Sequence, residues 1–118
     1  MKFLATYVAT AKAPPTPEHM AAIGKFAEDM KKAGVLLMTG GLQRPTRGTQ
    51  IRFAGGKFSV VDGPFAETKE LIDGFALVEN RSKEEALHVA ERFMRIAGDG
   101  EGEVLQVFDA GQAPPAQK

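Results

Sequence analysis

Two amphipathic stretches with marked beginnings and ends do most to constrain this chain. The first opens at Thr16-Pro17-Glu18. Thr16 suits an N-cap, Pro17 the first helical position, and Glu18 the positive end of the helix dipole. Met20, Ile23, Ala27 and Met30, with Phe26 beside them, recur at helical spacing as a buried stripe, and Gly34 is the expected stop. The second opens at a Ser82…Glu85 capping box and carries Ala86, Val89, Ala90, Phe93 and Ile96 or Ala97 as its stripe. Gly98-Asp99-Gly100-Glu101-Gly102 ends it. A helix with one apolar stripe must lay that stripe on another apolar surface.

The segments around the helices supply that surface as strands. Residues 2–8 alternate, with Phe3, Ala5 and Tyr7 on one face and Leu4, Thr6 and Val8 on the other. Both faces are mostly apolar, which predicts a central strand covered on both sides. Val35 to Met38 is a short apolar run, expected as a buried strand. Thr49 to Ala54 and Lys57 to Val61 read as a hairpin around Gly55-Gly56, with Ile51, Phe53, Phe58 and Val60 inward. Two glycines accept the positive φ that a type I′ turn requires. Residues 65–72 have room for a helical turn, 73–79 read as a strand, and Glu103 to Phe108 as the last one. The order is β-α-β, hairpin, β-α-β. It predicts an α+β fold of the ferredoxin-like split βαβ kind with an inserted hairpin. Two helices cover one face of such a sheet. A second copy covers the other most simply, giving a homodimer with two-fold symmetry. Residues 1–109 are expected to form one domain, and 110–118 a mobile tail.

Composition excludes several partner classes. Lys+Arg and Asp+Glu are both 15, so the formal charge is zero and a nucleic-acid or anionic-membrane surface is not expected. With no Cys, thiolate metal sites and thiol nucleophiles are excluded. His19 and His88 are too far apart in sequence to suggest a metal pair, and no glycine pattern matches a phosphate loop. No metal and no cofactor is therefore expected. Without a long apolar leader run or a membrane-length stretch, a cytoplasmic location is expected.

Val61-Asp62-Gly63-Pro64-Phe65-Ala66-Glu67-Thr68-Lys69-Glu70-Leu71 resembles the signature of the YCII-related family, named in part for its Asp-Gly-Pro-Phe. Ala33-Gly34-Val35-Leu36-Leu37, Gly41-Leu42-Gln43, Gly74-Phe75 and Ser82-Lys83-Glu84-Glu85-Ala86 agree in order and spacing. The resemblance implies a ferredoxin-like fold and a dimeric α+β barrel. It also implies kinship of fold with small cofactor-free enzymes that use an acidic residue, and sometimes a His, at a cleft. Those residues map here to Asp62 and, more loosely, to His19. The chain departs from the family pattern at Leu105, where Arg is usual, at Ala76, where a bulky aromatic is common, and at Met94, where Pro is common.

The residues themselves allow two readings of Asp62. Asp before Gly-Pro is a common turn former, its carboxylate accepting nearby backbone N–H groups. It is also a candidate general acid or base. Gly63, Pro64 and Phe65 would hold the loop, with Phe65 as its apolar anchor. Glu67 and Lys69, with Glu70, offer charges that could orient a small polar metabolite or simply remain solvated. His19 falls in the first turn of a helix, an exposed position unless it joins the site. Tyr7 is either a core side chain or a hydrogen-bonding group beside a cleft. The function expected is a cofactor-independent small-molecule enzyme using Asp62 as general acid or base. The alternative is a non-catalytic ligand-binding or regulatory dimer.

Overall fold

The computed structural model describes residues 1–10, 16–43, 45–65 and 72–112. Its elements are β1 (Lys2–Ala9), α1 (Pro17–Lys32), β2 (Leu36–Gly41), a 3-10 turn at Pro45–Arg47, β3 (Thr49–Ala54), β4 (Lys57–Asp62), β5 (Gly74–Glu79), α2 (Lys83–Ala97), β6 (Gly100–Glu101) and β7 (Val104–Val107).

Both helix starts form as their residues dictate. The Thr16 hydroxyl accepts from the His19 backbone N–H at 3.1 Å, and the Ser82 hydroxyl from that of Glu85 at 3.2 Å. The Glu85 carboxylate reaches back to the Arg81 N–H at 2.9 Å, one residue before the N-cap. Gly34 ends α1 with φ of 77°, a left-handed backbone that a Cβ would oppose.

β1 lies in the middle of an antiparallel sheet ordered β2-β5-β1, with β7 and the short β6 both pairing to the far side of β1. Register places Phe3 opposite Val78, Ala5 opposite Ala76 and Tyr7 opposite Gly74 on the face toward the helices. There Phe3, Val78 and Leu36 meet Met30 of α1 and Ala86 of α2 in the core. Burying a side chain such as Phe3 contributes up to about 3 kcal/mol. The Arg92 guanidinium lies 5.2 Å from the centre of the Phe26 ring, joining the exposed edges of the two helices. Two helices on one face of an antiparallel sheet make an α+β architecture compatible with the ferredoxin-like arrangement.

The same register puts Leu4, Thr6 and Val8 with Phe75, Leu77, Met38, Leu105 and Val107 on the opposite face. No described element of the chain packs over it. Met38 and Leu105 are exposed there, and the others half-buried.

Three expectations need correction. The run Val35–Met38 is not buried throughout: only Leu36 is, while Leu37 and Met38 are exposed. β2 is the edge strand, and its register with β5 shifts between Leu36 and Met38, so the run cannot keep a single buried face. Met20 is exposed rather than part of the buried stripe, because the contacts of α1 with the core are made further along the helix, by Phe26, Ala27 and Met30. Finally, β3 and β4 form their own two-stranded sheet, and the expected inward residues Ile51, Phe53, Phe58 and Val60 are all exposed. The turn is as expected, with φ of 58° and 75° at Gly55 and Gly56. The helical turn allowed for within 65–72 lies mostly outside the described residues.

Candidate functional site

Asp62 is the last residue of β4, and the hairpin register places it directly opposite Thr49. The Thr49 hydroxyl donates to Asp62 Oδ1 at 2.8 Å. Beyond Asp62 the chain keeps running along the other arm. The Gly63 N–H donates to the Gly48 carbonyl at 2.9 Å, and the Phe65 N–H to the Thr46 carbonyl at 2.6 Å. The Gly63–Pro64 peptide bond is cis.

This close apposition explains the glycine. A Cβ on Gly63 would lie 2.7 Å from the Thr46 carbonyl oxygen, 2.9 Å from that of Gly48 and 3.2 Å from the Phe65 ring. Two of those neighbours are backbone and cannot swing aside. Phe65 is half-buried against this segment, as an anchor should be. The Gly63-Pro64-Phe65 part of the signature therefore has a local structural cause. Asp62 does not share it. Its side chain is exposed, and its hydrogen bond is to a side-chain hydroxyl rather than to backbone N–H groups. Among the described residues Oδ2 has no hydrogen-bond partner. A carboxylate so oriented can accept a proton or hold a polar ligand through that oxygen.

The other candidate residues are dispersed. His19 is exposed in the first turn of α1, and among the described residues no hydrogen bond or ion pair joins it to Asp62. Tyr7 faces the helices. Its ring meets Phe93 edge-on with centroids 5.3 Å apart, and its hydroxyl donates to the carbonyls of Gly98 at 3.0 Å and Asp99 at 3.2 Å. Burial, and then the Asp73 and Asp99 carboxylates, hold the Tyr7 phenol above its ordinary pKa, so it stays a neutral donor. The carbonyls that follow α2 thus find the partner they need. Glu67, Lys69 and Glu70 lie outside the described residues.

Two residues not singled out from the sequence prove important. Thr49 was identifiable: counting outward from a two-residue Gly55-Gly56 turn pairs it with Asp62. Asp73 ties three strands together. Its Oδ2 accepts from the Ala9 N–H at 2.8 Å, its own N–H donates to the Tyr7 carbonyl at 2.8 Å, and its carbonyl accepts from the Leu42 N–H at 2.7 Å. Those partners are distant in sequence, so no local pattern reveals them.

Two surface depressions lie elsewhere. One of about 380 Å³ is lined by Asn80, Glu84, Glu85, His88 and Val89, and one of about 400 Å³ includes Met1, Lys2, Glu79 and Asp109. Neither reaches Asp62. Among the described residues no group of three or more His, Asp or Glu is placed to hold a metal ion, and no helix is long and apolar enough to cross a membrane.

Comparison with known proteins agrees with the signature. The YCII-related domain model matches residues 1–110. An uncharacterised protein of Rhizobium meliloti (strain 1021) is 35% identical over 86 residues, covering 70% of this chain and 69% of the relative. The sheet order, the Asp62 strand end and this match over nearly the whole chain lead to one assignment: the chain belongs to the YCII-related family.

Proposed function

We propose that this protein is a homodimeric, cofactor-independent enzyme acting on a small polar metabolite, with the Asp62 carboxylate as general acid or base. The observation that carries this reading is the state of Asp62. One oxygen accepts from the Thr49 hydroxyl, and among the described residues the other has no partner, at the end of a regular strand. A reactive group held by strand ends is better positioned than one on an unbraced loop. Acid–base work at neutral pH also needs the carboxylate to be partly withdrawn from water. A dimer supports that need. The uncovered sheet face formed by Leu4, Phe75, Leu77 and Leu105 is apolar, and a second sheet stacked on it would give the α+β barrel that the resemblance implies.

One observation favours the alternative of a ligand-binding or regulatory dimer. Among the described residues no second acid–base group is hydrogen-bonded to Asp62, and binding needs fewer groups than turnover. A thermal-shift screen of small organic acids and lactones on wild type and Asp62→Asn tests both readings. The enzyme reading expects Asp62→Asn to melt like wild type, because an amide oxygen still accepts from Thr49, and to lose turnover of any ligand found. Wild-type turnover in Asp62→Asn overturns it. Ligand stabilisation without turnover in either form leaves the binding dimer.

A further inference from the structure

We infer that the β3–β4 hairpin is an arm whose apolar face lies on a second copy of this chain, and that the copy so placed completes the Asp62 site. The inference rests on the proposed role of Asp62 and adds the surface that encloses it.

The hairpin is the anomaly of the protomer. Every residue from Thr49 to Asp62 is exposed, on both faces. It shares no ladder with the main sheet, and no described helix or strand packs broadly on it. A lone two-stranded hairpin is marginal in water. The radius of gyration, 16.5 Å, exceeds the roughly 13.5 Å of a compact chain of this length, as a projecting arm would make it. Yet the arm is regular, and its two faces differ. Cross-strand pairs Ile51–Val60 and Phe53–Phe58 share one face, exposed by 69%, 55%, 72% and 60%. Gln50, Arg52, Lys57 and Ser59 are on the other face, together with Ala54 and the exposed Val61. An apolar face backed by a more polar one is the pattern of a half-buried sheet.

The occupant follows from what else the chain leaves bare. The four side chains expose on the order of 400 Å², the size of a typical monomer's largest patch, which is often an interaction site. A stable dimer buries roughly 800 Å² per partner. The uncovered main-sheet face, with Met38 56% and Leu105 50% exposed, supplies a second apolar surface in the same chain. A two-fold axis satisfies both surfaces at once, each arm meeting the other copy. Zero net charge imposes no repulsion between copies.

Parity then ties the arm to the site. Thr49 and Asp62 are a cross-strand pair two residues further along the same face as Ile51–Val60 and Phe53–Phe58. A partner seated on the apolar pairs therefore borders the Asp62 carboxylate and walls off the oxygen that the protomer leaves open.

The natural chain has no Cys, so a single introduced thiol reports on burial. Ile51→Cys on the apolar face and Ser59→Cys on the more polar face are compared for labelling by a maleimide, alongside sedimentation of wild type, Phe53→Glu and Arg52→Glu at micromolar concentration. Wild type and Arg52→Glu are expected to be dimers. Ile51→Cys is expected to label at least tenfold more slowly than Ser59→Cys, and Phe53→Glu to sediment as a folded monomer by circular dichroism. Equal labelling rates, or protection that appears only with added anionic lipid vesicles, overturn the inference. So does a Phe53→Glu dimer as tight as wild type. Should Phe53→Glu not fold, the labelling pair decides alone. The Asp62→Asn screen reads a different quantity. Slow Ile51→Cys labelling with full Asp62→Asn turnover keeps the arm and removes the acid–base role, and the reverse result does the opposite.

Discussion

Phe3 and Phe53 both stand at positions read from the sequence as inward-facing, yet Phe3 is 2% exposed and Phe53 72%. β1 has strands on both sides and two helices above it, while among the described strands β3 pairs with β4 alone. Alternation fixes which side chains share a face, since the strand period is two. It does not supply the cover. In the main sheet the cover comes from helices of the same chain, linked to the strands by short connections. At the hairpin no described element of the chain supplies it. Stability in the first region is therefore a property of the protomer, and on the proposed dimer that of the second is a property of the assembly.

Mutations can break this contrast. The largest effect is expected for Phe3→Ala, which opens a cavity among Met30, Leu36, Val78 and Ala86 and should cost about 3–5 kcal/mol. Urea unfolding should show that loss, and the loss should not vary with protein concentration. Phe53→Ala tests the other region. Its cost should shrink as the protein is diluted toward the monomer, where an exposed position is worth within about 0.5 kcal/mol. A concentration-independent penalty for Phe53→Ala would mean that the hairpin is covered within its own chain.

Gly63→Ala is expected to cost about 1–3 kcal/mol, because its Cβ would press on two backbone carbonyls. The loss should be accompanied by weaker ligand response, since Asp62 is the adjacent residue. Tyr7→Phe removes the hydrogen bonds to Gly98 and Asp99 and should cost about 1 kcal/mol near neutral pH. Its pH dependence sharpens the assignment. The folded-state pKa of Tyr7 is raised, so its contribution is complete below the unfolded value of about 10 and is lost as pH climbs through the higher folded value. Alkaline denaturation of wild type should include this loss, and Tyr7→Phe should lack that component. The smallest change is expected for Asp62→Asn, within about 0.5 kcal/mol of wild type, as befits an exposed group whose partner an amide can keep.

Much of the architecture was legible. Helix caps at Thr16 and Ser82, the Gly34 stop and the Gly55-Gly56 turn are local chemistry, settled by neighbours a few residues away. The Asp62 strand end and the anchor at Phe65 were legible through the signature string. Three matters were not. Asp73 bonds to Ala9, Tyr7 and Leu42 across long separations. The exposure of Leu37 and Met38 depends on β2 being an edge strand with a shifted register. The hydrogen bonds of Tyr7 to the carbonyls that follow α2 depend on which face of the sheet receives the helices.

The sequence by itself determined both helices and the longer strands, their order and which side chains share a face, because those follow from φ, hydrogen bonding and periodicity within short windows; the short β6 and the 3-10 turn it did not show. Only the tertiary structure decided which faces are covered. Burial is a relation between surfaces brought together from distant parts of a chain, and the hairpin's apolar pairs, legible residue by residue, carry no local sign of whether anything lies against them.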